Sequence, residues 1–408
     1  MRTVEEHLTV VLAGVGRTPD RIVRIEDAAG MTLRAPVIAR LAVPGFDNSA
    51  MDGYAVRRAD VAAAAPAEPI ALRVVADLPA GSALDPPLAS GEAARIMTGA
   101  PVPSDADAIV PVEDTAEGLD GRVAVTVLRA PAPAAFIRRR GADVDAGAEV
   151  IAAGRDLGPL EVAALAASGT TEAMVAAPPR VAVISTGAEL DAAGAPVRRG
   201  RVPDSNGPLL AALARQAGAE VVLVTRSDDR ESAFRSALTH AAAADADVII
   251  TSGGISAGAF EVVRNVLGGT GDGFVRVAMQ PGRPQGFLVL PGGRPLFALP
   301  GNPVSAAVSF EVFVRPALRR MRGDSGIHRP VLRLPAAEGW EAPAGRRQYL
   351  PAVVDRSDPA RWTVRPAGPG GSGSHLIATL ARADGFAVVP AERDRVAPGD
   401  AVDVMLVR

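Results

Sequence analysis

Hydrophobic positions change their period along the chain, and the changes mark its elements. Val4, Leu8, Val11, Leu12 and Val15 recur at helical spacing behind a Thr3/Glu6 capping-box pattern, and Gly16 ends the run. Residues 34–53 break that period: Pro36, Pro44 and Gly45 interrupt them and the polar run DNSAMDG follows, which predicts an ordered loop. From about 54 to 137 short Val/Ile pieces are separated by Pro and Gly, and Val123, Val125 and Val127 alternate as a half-buried strand does. Residues 138–178 carry RRRGADV, Gly/Ala turns and an Ala-rich helix from about Pro159 to Ala167.

The stretch 179–325 has an α/β rhythm. Val181–Ile184, Val221–Val224 and Val248–Ile250 are apolar strands. Between them, Leu209, Leu210, Leu213 and Ala217 make a helical stripe that starts at Asp204–Asn206 and stops at Gly218, and a second helix spans 231–244. A helix near 260–267, a hairpin of Phe287–Leu290 and Leu296–Ala298, and a long helix from LPGNPVS to about Met321 complete it. Strands alternating with helices predict a parallel sheet covered on both faces. After about 326 come short strands, Val331–Leu334, Tyr349–Val354, Trp362–Arg365, Phe386–Val389 and Val402–Val407, which point to a small β-barrel or sandwich.

Composition narrows the picture. A length of 408 residues implies two to four domains, and with aromatics at only 3% the cores must rest on Ala, Val, Leu and Ile. The net charge of −3 gives no overall field for nucleic acid or an acidic membrane surface. Without cysteine there is no thiol nucleophile, thiolate-held zinc or iron–sulfur cluster, and four scattered histidines do not make a His-rich metal site. No run of about 18 uncharged apolar residues occurs, and MRTVEEHLTVVLAG lacks a signal-peptide pattern. The expectation is a cytoplasmic protein with no membrane and no nucleic-acid partner.

Four stretches join special backbone geometry to polar groups. PGFDNSAMDGY (44–54) holds two aspartates five residues apart, and reads either as a self-capped turn or as part of a site. SGGISAG (252–258) follows an apolar strand directly, where open α/β sheets bind ligands, and is either an anion cradle or a plain βα turn. In LPGNPVS (299–305) Asn302 is placed to cap, Pro303 suits the first helical position and Ser305 falls in the first turn; a well-capped helix explains it as well as an anion site does. In QPGRP (280–284) Arg283 sits on a rigid loop as an oxyanion clamp or an exposed turn residue. Scattered carboxylates, Asp52, Asp143, Glu189, Asp228, Asp229 and Glu261, would bind Mg²⁺ if they met in one cleft.

The string VPGFDNSAMDGYAV, followed in order by RIMTGAPVP, IRRRGADV, STGAEL, DSN, SGGISAG, LPGNPVS and GSGSH, resembles the signature of the molybdopterin molybdenumtransferases, the family of bacterial MoeA and the gephyrin E domain. The motifs span the whole chain. The resemblance implies a multidomain α/β plus β fold. Residues 1–45 and 138–178 would form an elongated linking and dimerisation domain, 46–137 an inserted β-rich domain, 179–325 a three-layer molybdopterin-binding α/β domain, and 326–408 a C-terminal β-barrel. It implies a homodimer whose cleft lies between the α/β domain of one subunit and the inserted domain of the other. The implied reaction takes adenylylated molybdopterin and molybdate, uses Mg²⁺, and releases AMP and the molybdenum cofactor. A pterin adenylyltransferase and molybdoenzymes or their chaperones would be the partners.

Carried onto this chain, the resemblance puts Asp52, Thr98 and Asp143 on the cross-subunit wall. Glu189, Asp228 and Glu261 fall on the α/β side as catalytic groups and metal ligands. Ser252, Gly253, Gly254 and Ser256, with Asn302 and Pro303, hold pterin or phosphate, and Arg283, Ser305, Arg346 and Ser374 hold molybdate. Relatives commonly carry Lys-Pro-Gly-Lys where this chain has Gln280-Pro-Gly-Arg283, Asp where Glu261 stands, and an acid at Ala188. Two other readings are a pterin adenylyltransferase, which would lack the N-terminal signature and the β domain, and a non-catalytic scaffold paralogue, against which the retained Asp52, Asp143, Glu189 and Asp228 speak.

Overall fold

The computed structural model describes residues 1–196, 198–255, 261–268, 273–368, 373 and 375–407. Its centre is a six-stranded sheet in the order 220–227, 180–186, 248–252, 294–299, 284–290, 274–276. The first four of these strands are parallel, and the last two run antiparallel as the expected hairpin and one more edge strand. Side-chain alternation divides the core in two. Val181, Val183, Val248 and Ile250 meet helix Asn206–Gln216 and the 303–322 helix on one face, whereas Ala182, Ile184 and Ile249 meet helices Glu231–Ala243 and Val262–Leu267 on the other. The strands are buried on both faces, which is why they read as unbroken apolar runs.

The N-terminal helix is Val4–Ala13, with both hydrogen bonds of the Thr3/Glu6 capping box formed. It ends at Gly14, two residues before the expected Gly16, and a Cβ at Gly14 would lie 2.5 Å from the Phe287 ring. Residues 20–38 and 149–176 build a separate small core. Strand Asp20–Arg24 pairs antiparallel with Glu172–Ala176, Val37–Ile38 pairs with Glu149–Ile151, and helix Pro159–Ala167 closes over Leu33, Leu157 and Val175.

Between these halves lies an inserted five-stranded sheet in the order 108–111, 53–56, 92–96, 70–78, 124–127. Its outgoing and returning chains are themselves paired, Asn48–Ser49 against Ile137–Arg138. Val125 and Val127 are buried as expected, but Val123 is 78% exposed and precedes strand Ala124–Val127, because the chain is still turning at Gly121. At the C-terminus, strands 347–355, 385–389, 401–406 and 331–335 pair in sequence, 363–366 pairs back to 347–355, and an Ala336–Val364 bridge closes the ring into a barrel. Closure removes the free edges such short strands would otherwise expose.

The long helix after LPGNPVS is one continuous rod with a π turn in its middle: Pro303–Ser309, then Phe310–Val314, then Arg315–Arg322. The π turn buries Glu311, whose carboxylate accepts two hydrogen bonds from Arg329, at 2.8 and 3.0 Å. At the end of the rod Arg322 Nη2 donates to Thr32 Oγ1 (2.6 Å), Gly30 O and Asp156 Oδ1, and Arg319 pairs with buried Asp324 at 2.9 Å. These contacts fasten the linking unit to the α/β unit that holds the site.

Candidate functional site

A cavity of about 1050 Å³ opens at the carboxyl ends of the parallel strands and extends to the C-terminal barrel. That is where an open α/β sheet places ligands: strand ends leave backbone groups unpaired, and helix N-termini converge there. Strand Arg180–Thr186 leads to Gly187 and Glu189, and strand Val248–Ser252 leads to Gly253 and Gly254. The loop after strand Arg294–Leu299 brings Pro300 to Pro303 and then Ser305. Gln280 comes from the short strand Met279–Gln280, which pairs with the start of barrel strand 347–355, Arg283 comes from the loop after it, and Arg346 and His375 reach in from the barrel side.

The floor of the cavity is a hydrogen-bonded knot. Asn206 donates through Nδ2 to Ser252 Oγ at 2.7 Å and to Gly301 O at 2.6 Å, and Ser252 Oγ donates to Pro300 O at 3.2 Å. Three loops are thus held by one amide. Gly253 has φ +98°, and a Cβ there would lie 2.5 Å from Thr186 O, so no larger residue fits without moving the neighbouring strand end. The Gly253 N–H is spent on Leu299 O at 3.0 Å; its part is close approach rather than donation.

Charged groups ring this floor. Glu189, Asp229, Glu261 and Asp204 line the cavity together with Arg283 and Arg346. Asp204 is 7% exposed and accepts from Gly207 N at 3.0 Å, starting the 206–216 helix. The loop bearing Glu189 is clasped by Asp191, which binds Arg201 at 2.6 Å and Arg198 at 3.0 Å. The hydrogen bond from Arg201, ahead of that from Arg198, holds the Asp191 carboxyl down to about 2 despite its partial burial.

Most of the residues expected on the α/β side meet here: Glu189, Ser252, Gly253, Gly254, Glu261, Arg283, Asn302, Pro303, Ser305 and Arg346. Ser256 and Ser374 lie outside the described residues. Asp228 is not among the lining groups. Its carboxylate turns to Arg230, taking the Nε at 2.8 Å and the backbone N–H at 3.0 Å, and the Arg230 side chain lowers its pKa first. The neighbouring Asp229 lines the cavity instead. Asn302 stands at the N-cap of helix Pro303–Ser309, but its side chain does not cap that helix. Asp52, Thr98 and Asp143 lie apart from the cavity. Asp52 Oδ1 accepts from Thr98 N and Thr98 Oγ1, both at 2.7 Å, and these bonds, the backbone one first, lower its pKa. Asp143 is exposed on a loop whose backbone pairs with Val43.

Family comparison decides the kinship. Residues 2–169 match the MoeA N-terminal region (domain I and II), 182–320 a probable molybdopterin binding domain, and 333–407 the MoeA C-terminal region (domain IV). The chain belongs to the molybdopterin molybdenumtransferase family. It is 43% identical over 411 residues to molybdopterin molybdenumtransferase 2 of Mycobacterium tuberculosis (strain ATCC 25618 / H37Rv), covering 99% of each chain. It is 36% identical to the molybdopterin molybdenumtransferase of a Nostoc species, over 94% of this chain and 88% of that one. Among solved structures, a molybdopterin biosynthesis MoeA protein from Pyrococcus horikoshii OT3 superposes over 100% of both chains with a TM-score of 0.84 at 25% identity. The multidomain fold expected of a molybdopterin molybdenumtransferase is thus the fold observed.

Sequence reasoning gave Asp204–Asn206 only the start of a helix, although DSN stood out as a motif, because a tie between three loops leaves no local pattern. Asp229 was grouped with Asp228; in the structure Asp228 turns to Arg230 whereas Asp229 accepts from Ala188 N at 3.2 Å.

Proposed function

We propose that the chain inserts molybdate into adenylylated molybdopterin and releases AMP, in molybdenum cofactor biosynthesis. The carrying observation is that one cavity joins a glycine turn at a strand end, a helix start, two arginines and four carboxylates in a member of this family. The phosphoanhydride of such a substrate needs donors and countercharge, and the tetrahedral oxyanion needs cations and hydroxyls. Gly254 and the start of the 303–322 helix face the phosphate side, with Arg346, Arg283 and Ser305 facing the oxyanion. The pterin contributes its own dithiolene sulfurs, so a protein without cysteine loses nothing.

Mg²⁺ is part of this reading. Among the described residues no three His, Cys, Asp or Glu groups stand close enough to hold a metal alone. That fits a cation usually bound by one or two carboxylates plus substrate phosphate oxygens. Glu189 with Asp229 or Glu261 would hold it, and bound there it offsets phosphate charge. Asp52, Thr98 and Asp143, remote from the cavity of their own chain, support a homodimer in which a partner copy completes the site. Among the described residues no helix is long and apolar enough to cross a membrane.

The test is AMP release from adenylylated molybdopterin with Mg²⁺, with and without molybdate, beside Asp52→Asn. Molybdate-dependent release that fails in the variant is the expected result. Absence of release by the folded protein, with the adenylylated pterin still bound, would mean a non-catalytic paralogue. ATP-dependent AMP transfer to molybdopterin would mean an adenylyltransferase.

A further inference from the structure

Glu189 lines the main cavity, yet among the described residues its carboxylate makes no hydrogen bond or ion pair. It folds back over Gly187, where a Cβ would lie 2.5 Å from Glu189 Oε2. An exposed carboxylate without a partner keeps its rotamer freedom, so whatever aims it must act through the main chain. That main chain is held from the returning arm of the same loop. Val202 N donates to Glu189 O and Asp204 N to Asp191 O, both at 2.9 Å, along the short parallel pair Leu190–Asp191 and Val202–Pro203.

Arg201 adds the decisive hold. Its Nη1 donates to Ala188 O and its Nη2 to Leu190 O at 3.0 Å, the two carbonyls that flank Glu189. Nη2 also donates to Asp191 Oδ1 at 2.6 Å. One planar guanidinium therefore spans the turn on both sides of the glutamate, which a single ammonium on a flexible stem cannot do. The charges are arranged to leave Glu189 open. Arg201 is attracted to Glu189, but Asp191 takes its charge, and that of Arg198 at 3.0 Å as well. The same arm runs on into Asp204 and Asn206, so the brace also ties the Glu189 turn to the floor of the cavity.

We propose that Arg201 is a positioning residue for the divalent cation: it holds Glu189 where its carboxylate can bind Mg²⁺, and itself touches neither the ion nor the substrate. This rests on the reading above in which Glu189 holds Mg²⁺. Groups that orient a metal ligand from behind set its affinity by about ten-fold or more. A weakly held cation that shares its ligands with substrate phosphate depends on such orientation the most, because few protein atoms hold it.

The experiment uses Mn²⁺ as the probe. Its binding to the full chain in the presence of AMP is followed by electron paramagnetic resonance for the parent, Arg201→Lys, Arg201→Gln and Glu189→Gln. Melting and metal-free hydrogen exchange across residues 187–204 are recorded on the same preparations. Arg201→Lys keeps the charge and should still weaken Mn²⁺ binding about ten-fold, with faster exchange at 187–191 and melting close to the parent. Glu189→Gln should lose the binding. If both Arg201 variants bind Mn²⁺ like the parent while Glu189→Gln does not, the brace is overturned and the metal reading stands. A loss of affinity that only follows a general loss of stability overturns it too, as does exchange identical to the parent in Arg201→Lys. If Glu189→Gln binds Mn²⁺ as the parent does, the metal reading falls, and faster exchange at 187–191 in Arg201→Lys would still mark Arg201 as the group that positions Glu189.

Discussion

The amide of Asn206 donates to Ser252 Oγ at 2.7 Å while its second proton goes to Gly301 O at 2.6 Å. Helix start, strand end and hairpin exit are therefore positioned relative to one another by a single side chain that is 8% exposed. Asn206→Ala leaves a buried hydroxyl and a carbonyl short of a donor, at a cost of about 1–3 kcal/mol. Asn206→Asp has no proton to offer either acceptor when ionised, and should be at least as damaging. Calorimetric melting together with KM for the pterin substrate checks this: both variants should melt earlier and raise KM. An unchanged KM in a folded Asn206→Ala protein would show that the knot does not shape the site.

Gly253→Ala tests the same floor through the backbone. A φ of +98° and a Cβ 2.5 Å from Thr186 O leave no room for a methyl group. The strain is about 1–3 kcal/mol, and its relief must shift the Ser252–Gly254 turn. Substrate affinity should fall more than global stability does, which equilibrium binding and urea unfolding on one preparation would separate.

The α/β unit was legible in the sequence because its strands are buried on both faces, so Val181–Ile184 and Val248–Ile250 stand out as apolar runs between helical stripes. The barrel strands were legible from Gly/Pro punctuation. Features that depend on distant partners were not. The π turn at Phe310–Val314 leaves the helical period almost intact, and Arg329, the partner of its buried Glu311, lies 18 residues away. The pairing of Asn48–Ser49 with Ile137–Arg138 joins segments too short to carry a pattern. Within the site, glycine and proline motifs marked the loops that line the cavity, but the separate partners of Asp228 and Asp229, Arg230 and the Ala188 N–H, left no pattern in the sequence.

His7 gives stability a pH dependence. It is 2% exposed, stacked edge-on against Phe313 at 4.7 Å, and burial first, then the nearby Arg2, lowers its pKa from 6.5 to about 4. Between those values the unfolded chain binds a proton that the folded chain refuses. Stability therefore falls as pH drops from 6.5 toward 4, by up to about 3 kcal/mol, and His7 adds no further loss below that. His7→Leu removes the titrating group and should flatten the melting temperature across that interval relative to the parent. Parallel pH profiles for the two proteins would refute this assignment.

Gln280 stands where the sequence resemblance leads one to expect a lysine, in the loop proposed to hold the oxyanion. It lines the main cavity beside Arg283, so on the proposed reading one cation fewer would face molybdate than a lysine there would supply. Gln280→Lys restores that charge near Arg283 and Arg346. A charge-assisted contact is worth more than a neutral one, so molybdate half-saturation of cofactor formation should fall by about three- to ten-fold, with AMP affinity unchanged. The gain should shrink as salt is raised, because the added interaction is electrostatic and partly exposed. A molybdate dependence identical to that of the parent would mean that Gln280 is not what limits oxyanion binding, and that Arg283 and Arg346 suffice.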